Sequence, residues 1–130
     1  MTALAITAIG VAKKEELKFG RATEGDKFIL LGRPQVGNEV DLESIGYYSD
    51  IQRLLQLQGI KEIVPVGSKG IAYEAQTLAA LNKMTFKPHE TEIDYNKSAG
   101  PATCLLILCT PPSADQILST HPQSTIIGEI

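Results

Sequence analysis

The heptapeptide TCLLILC, residues 103–109, is the most strand-like stretch of the 130-residue chain. Four consecutive aliphatic residues fill its centre, and a short apolar run bounded by turn residues is typical of a buried strand. The segment before it, SAGPA, contains glycine and proline, and the segment after it, TPP, opens a new element. We predict that residues 103–109 form a central strand of a β-sheet.

Cys104 and Cys109 are the only cysteines, and they lie at the two ends of this apolar run. Residues five positions apart on a strand point to opposite faces, so we expect no disulfide between them. Two thiols without a Cys-x-x-Cys spacing suit a reducing compartment, where a buried cysteine behaves as a small apolar residue. The pair therefore indicates two core thiols and a cytoplasmic protein.

Strands and helices are predicted on both sides of this segment. Downstream, Thr110 is a plausible helix cap with prolines in the first turn, and residues 124–130 form a last strand. Upstream, strands are predicted at residues 27–31 and 60–66, the second of which Pro65 ends, because proline cannot donate to a ladder. The apolar residues 4–11 predict a further strand, central in the sheet and buried on both faces.

Two further helices are predicted from apolar residues at helical spacing. The first is long, within residues 41–59, with Gly59 as a left-handed C-terminal cap, and the second covers residues 71–81. Residues 87–101 are polar and contain proline and glycine, so they predict a loop or a short exposed strand, where function often lies. The element order predicts one α+β domain over residues 1–130, a two-layer structure with helices packed on a mixed β-sheet.

Composition excludes several classes of function. The chain has 43% hydrophobic residues, 21% charged residues and a net charge of -3, as an ordinary globular protein has. Its basic residues are scattered, which argues against a nucleic-acid surface. No apolar run approaches the roughly 20 residues of a membrane-spanning helix. The N-terminal charges follow the apolar run, the reverse of a secretory signal. We expect neither nucleic acid nor membrane as a partner.

Residues that carry chemistry are sparse. His89 and His121 lack neighbours at metal-ligand spacing, and no serine lies in a Gly-x-Ser-x-Gly elbow. We therefore predict no catalytic and no metal-binding residue in this chain.

Three glycine-containing turns are the remaining candidates for a binding site. They lie around residues 32–37, 67–70 and 98–100, and Arg33 and Lys69 add a cation to two of them. Glycine lets the backbone approach an anion, and a helix start attracts negative charge, so such turns can bind phosphate. None has the Walker spacing, and each turn alone is more simply a tight connection.

Five segments, taken in order, carry a resemblance to a known family: LAITAIGVAKKEEL (4–17), EGDKFILLGRPQVGNEV (24–40), GSKGIAYEAQTLA (67–79), SAGPATCLLIL (98–108) and STIIGEI (124–130). Together they resemble the C-terminal domain of the aminoimidazole ribonucleotide (AIR) synthetase, or PurM-like, superfamily. This superfamily includes selenophosphate synthetase, thiamine monophosphate kinase, a hydrogenase-maturation dehydratase and cobalamin-pathway enzymes that act on alpha-ribazole. The forms VPVGSKGI and GRPQVGNEV are most similar to the alpha-ribazole branch.

The resemblance implies a two-domain, ATP-dependent enzyme in which an N-terminal domain supplies the metal-binding aspartates and most nucleotide contacts. ATP and Mg would belong to that complete enzyme, and this chain alone is expected to hold neither. The implied partners are the N-terminal domain, in cis or in trans, a small phosphorylated ligand, and further copies of the chain in a homo-oligomer. The implied substrate- or phosphate-binding residues are Gly32, Arg33, Gly37, Gly67, Ser68, Lys69, Gly70, Ser98 and Gly100.

One segment departs from the family pattern. Val64, Pro65 and Val66 stand where many members have an acidic segment, which puts an ionisable role there in doubt. Two alternatives stay open. The chain could be a small regulatory or ligand-sensing module that forms a homo-oligomer, or a purely structural interaction domain, because fold alone does not separate these classes.

Overall fold

A computed structural model describes residues 4–46 and 48–130. Its five strands are β1 (Lys27–Gly32), β2 (Ile60–Pro65), β3 (Lys87–Pro88), β4 (Cys104–Cys109) and β5 (Ser124–Glu129). Its α-helices are α1 (Tyr48–Leu54), α2 (Gly70–Leu81) and α3 (Pro111–Thr120), and three short 3₁₀ turns cover Lys14–Glu16, Gly37–Glu39 and Leu42–Ser44. No helix in this part of the chain is both long and apolar enough to cross a bilayer.

The strands form one sheet in the order β2-β4-β1-β5-β3. In its centre, β1 and β4 pair along six residues, with Phe28 opposite Leu108 and Leu30 opposite Leu106. Every residue of β4 is buried, as the predicted central strand requires. The α+β class with helices packed on a sheet is therefore confirmed.

The sheet differs from the expected one in two details. All four strand pairings among the described residues are antiparallel, so the sheet is not mixed. Helices also cover both faces, which makes three layers rather than two. One face packs Phe28 and Leu106 against α2, and the opposite face packs Ile29 and Ile107 against α1 and α3. Because neighbouring strand residues alternate between faces, a fully apolar strand such as β4 requires cover on both sides.

The two cysteines are free and buried on opposite sides of β4, as predicted. Cys104 belongs to the core beneath α2, and Cys109 belongs to the core beneath α1 and α3. Burial raises the pKa of each thiol to about 12, and the carboxylate of Asp26 contributes to the rise at Cys109. Both side chains are thus protonated members of the core at neutral pH.

The predicted N-terminal strand is wrong. Residues 4–13 have no regular structure, and Leu4, Ile6, Ile9 and Val11 are each at least 84% exposed. The central positions of the sheet are occupied by β4 and β1, and no described strand pairs with this segment. Further along the chain, the backbone N–H of Gly20 donates a hydrogen bond to the buried Glu62 carboxylate of β2 over 3.2 Å.

The predicted long helix within residues 41–59 is also wrong. The segment instead contains the 3₁₀ turn Leu42–Ser44 and the seven-residue helix α1; residue 47 lies outside the described residues. The backbone N–H of Gly46 donates to the Thr103 carbonyl over 3.0 Å, which ties this point to the end of the sheet. Gly59 follows α1 at a distance and packs against Thr110 and Ser113 rather than capping a helix.

Candidate functional site

The three glycine-containing loops meet at one end of the sheet. The N–H of Ala99 in the third loop donates to the Gly67 carbonyl of the second loop over 3.1 Å. A Cβ atom on Gly100 would lie 3.0 Å from Cγ1 of Val36, which places the third loop against the first. The contact between the first and third loops joins Val36 and Gly100, which lie more than 60 residues apart in sequence.

Thr103 is the polar centre of this junction. Its side chain is buried, and its hydroxyl accepts a hydrogen bond from the backbone N–H of Gln35 and donates to the Arg33 carbonyl, both over 2.9 Å. One hydroxyl therefore fixes the backbone on both sides of Pro34.

Replacing Thr103 by valine should lower the free energy of unfolding by about 1–3 kcal/mol, because two buried backbone groups lose their partner while the shape of the side chain is kept. Urea unfolding of Thr103→Val measures this loss. Thr103→Ser is the matched control, since it retains the hydroxyl and should lose less. A valine variant as stable as the wild type would contradict this role for the hydroxyl.

The first loop, residues 33–46, is closed on itself. The N–H of Arg33 donates to the Ser44 carbonyl over 3.1 Å at the base of the loop. The Gln35 amide donates to the Ser44 hydroxyl and accepts from the backbone N–H of Asp41. These bonds give the loop a fixed shape without a long helix, and they hold Arg33 and Asp41 on the same side.

A cleft of about 980 Å³ lies between this first loop, residues 91–97 and the residues that lead into β5. Its charged lining side chains are Arg33, Lys97, Asp41, Glu92 and Asp94. Sequence patterns identified Arg33 and the preceding Gly32, but they pointed to residues 91–97 only as a polar segment. Gln123 and Thr125, which complete the opposite wall, carried no sequence signal.

The cleft has a mixed electrostatic character. The Arg33 side chain is exposed, and among the described residues its guanidinium has no hydrogen bond or ion pair. Lys97 pairs with Glu39 at 2.9 Å. Asp41 and Asp94 each accept a backbone N–H within their own turns. Arg33 is therefore the cation that is free to meet an anion.

The second loop lies beside the third loop and does not line this cleft. Gly70 starts α2 with φ of +82°, and a Cβ atom there would lie 2.8 Å from the Tyr95 carbonyl oxygen. That carbonyl accepts the N–H of Ala72 over 2.9 Å, so part of the helix start already has a partner. The ammonium of Lys69 lies 4.2 Å from the centroid of the Tyr73 ring. Glycine at position 70 is thus required by packing.

The remaining predicted residues flank the junction. Ser98 accepts the N–H of Gly100 over 3.1 Å and so closes a tight turn. Gly37 is exposed at the tip of the first loop, and Gly67 and Ser68 precede α2. The structure therefore puts Gly32 and Arg33 in the lining of the cleft, and the other predicted residues do not line it. Contact of any of them with a ligand stays a prediction.

A magnesium–triphosphate site does not fit the residues that the structure describes. No group of three or more His, Cys, Asp or Glu side chains among them could hold a metal ion. In the cleft, three carboxylates outnumber two cations, which disfavours a polyphosphate.

Comparison with known proteins supports the fold assignment. No protein-family model and no curated protein sequence matches the chain. Two crystal structures of E. coli HypE, described as a hydrogenase maturation protein, are similar to it with a TM-score of 0.61 and identities of 19% and 18%. In each case the match covers 85% of this chain and 45% of the HypE chain. The predicted α+β fold is therefore shared with the matching part of HypE.

Proposed function

We propose that this chain is the C-terminal half of an ATP-dependent enzyme related to AIR synthetase, and that its cleft helps to bind a phosphorylated or nucleotide-like substrate. The observation that carries the proposal is the unpaired guanidinium of Arg33 in the cleft between the first loop, residues 91–97 and the residues that lead into β5. A guanidinium can bind phosphate oxygens in bidentate fashion, which gives both affinity and orientation. An alpha-ribazole-type compound is one substrate of this class.

The proposal assigns catalysis to a partner. Phosphoryl transfer needs metal-held phosphates and an oriented acceptor, and the described residues offer no such carboxylate cluster. ATP and Mg would therefore be held by an N-terminal domain, in cis or in trans, in a reducing compartment such as the cytoplasm. The likeness to HypE is consistent with this, because the chain spans less than half of HypE.

The exposed N-terminal segment supports the existence of such a partner. Leu4, Ile6, Ile9 and Val11 are almost fully exposed, and soluble domains rarely leave contiguous apolar surface of this kind uncovered. The segment is uncharged from residue 4 to residue 12 and forms no helix or strand of its own, so it is available for addition to another sheet. We propose that this segment pairs with the sheet of the N-terminal domain.

The predicted residues that do not line the cleft are also given a role in ligand binding. Gly37, Gly67, Ser68, Lys69, Gly70, Ser98 and Gly100 are proposed to contact the part of a ligand that extends beyond the cleft. A ligand-sensing homo-oligomer is the second candidate, since the same apolar segment could pair with a second copy of the chain.

Calorimetric titration with ribose 5-phosphate, inorganic phosphate and ATP tests the proposed site. We expect ribose 5-phosphate to bind, and Arg33→Met to weaken its binding at least tenfold, because a charged hydrogen-bonded contact contributes about 1.5–3 kcal/mol. Arg53→Met is the control, since it removes the same charge from the exposed face of α1. Lys69→Ala tests the second loop in the same assay.

Three results would contradict the proposal. Equal affinities for Arg33→Met, Lys69→Ala and the wild type would favour a purely structural domain. Ligand-dependent homo-oligomers in sedimentation experiments would favour the sensing module. Hydrolysis of ATP by the isolated chain at an ordinary enzymatic rate would overturn the assignment of catalysis to a partner.

A further inference from the structure

Lys97 and Glu39 form an ion pair across the rim of the cleft. Lys97 lies on the segment 91–97 and lines the cleft, whereas Glu39 belongs to the turn Gly37–Glu39 in the first loop. The two charged atoms are 2.9 Å apart, and their side chains are 40% and 65% exposed. The pair thus joins the two loops between which the cleft opens.

An ion pair this exposed is easily exchanged. Such pairs contribute about 0–1 kcal/mol, because water screens the charges and two long side chains must be ordered. A phosphate group in the cleft would offer Lys97 more oxygen acceptors than Glu39 does, and Arg33 lines the same cleft. Lys97 can therefore exchange Glu39 for a phosphate group with little loss of ion-pair energy.

We propose that Lys97 is the second cation of the ligand site, that it binds the same phosphate as Arg33, and that Glu39 competes with the ligand for it. This inference rests on the proposed function. The carboxylates of Asp41, Glu92 and Asp94 line the same cleft and would accept hydrogen bonds from hydroxyl groups. We therefore expect the ligand to be a hydroxylated phosphomonoester. Diphosphates and triphosphates should bind more weakly, because the carboxylates repel their additional negative charge.

The test is calorimetric titration of the full chain with ribose 5-phosphate. Glu39→Gln should tighten binding about twofold to fivefold, because it removes a competitor of the strength of an exposed ion pair. Lys97→Met should weaken binding at least fivefold, and the double variant should bind like Lys97→Met. Glu90→Gln is the matched control, since Glu90 is exposed next to Thr91 but does not line the cleft.

The outcomes separate this inference from the function on which it rests. Binding that depends on Arg33 but is unchanged in Lys97→Met overturns the inference and leaves the proposed function standing. An equal gain in affinity for Glu39→Gln and Glu90→Gln also overturns the inference. The gain would then come from the loss of any nearby negative charge and not from competition for Lys97. Absence of binding in the wild type and in Glu39→Gln overturns both. Lys97→Arg, which keeps the cation, should restore most of the affinity if Lys97→Met loses it.

Discussion

Replacing Phe28 by alanine is expected to lower the free energy of unfolding by about 3–5 kcal/mol, because the truncation leaves a large cavity in a packed core. The Phe28 side chain is fully buried, and its ring meets that of Phe86 edge to face with centroids 5.0 Å apart. A domain of this size has a total stability of about 5–15 kcal/mol, so the loss is a large fraction of it. Urea unfolding followed by circular dichroism measures the change.

Phe19→Ala is the matched control for this prediction. It makes the same chemical change at a side chain that is 57% exposed, and such surface substitutions usually stay within about 0.5 kcal/mol. Similar losses for the two variants would mean that the core beneath α2 does not determine stability as described. If Phe28→Ala does not fold, Phe28→Leu should still give a smaller, measurable loss.

Gly32→Ala should destabilise the chain by roughly 2–5 kcal/mol and abolish binding in the cleft, because a left-handed conformation and a steric clash both act against the new side chain. Gly32 has φ of +85°, and its Cβ would lie 2.9 Å from the Gly46 nitrogen and 2.9 Å from the Thr103 carbonyl oxygen. The three nearest atoms all belong to the backbone, so relief requires the base of the first loop to open. Arg33 would move with it.

Gly25→Ala separates the two contributions. Gly25 has a similar φ of +89° but no atom within 4 Å of a Cβ, so its variant should lose only about 1–2 kcal/mol from conformation. Thermal unfolding and titration with ribose 5-phosphate compare the two proteins. If both variants lose the same stability and bind equally, the close packing at the base of the first loop does not control the site.

The central elements of the fold could be predicted because their signals are local. Residues 103–109 are apolar throughout, and α2 repeats apolar residues at helical spacing, so both predictions are confirmed. Residues 4–11 also carry a strand signal, yet no described strand pairs with them. An apolar pattern indicates that a segment can form a strand, but it does not identify the strand with which the segment pairs.

The site could be predicted only in part for a related reason. Glycines at turns point to loops, and the loops do meet, but which side chains line the cleft depends on long-range closure. The Gln35 amide and the Thr103 hydroxyl shape the first loop through partners up to 70 residues away, and no pattern within the loop reveals those bonds. For the same reason, the sequence did not identify Lys97 as a residue that lines the cleft.

The buried, protonated thiols of Cys104 and Cys109 make the chain convenient for spectroscopy. A thiolate is the species that reacts with maleimides and iodoacetamides, and neither native cysteine offers one at neutral pH. A single cysteine introduced on the rim of the cleft can therefore carry a fluorophore without removal of the native pair. Occupancy of the cleft and docking of a partner domain then become observable on the unaltered core.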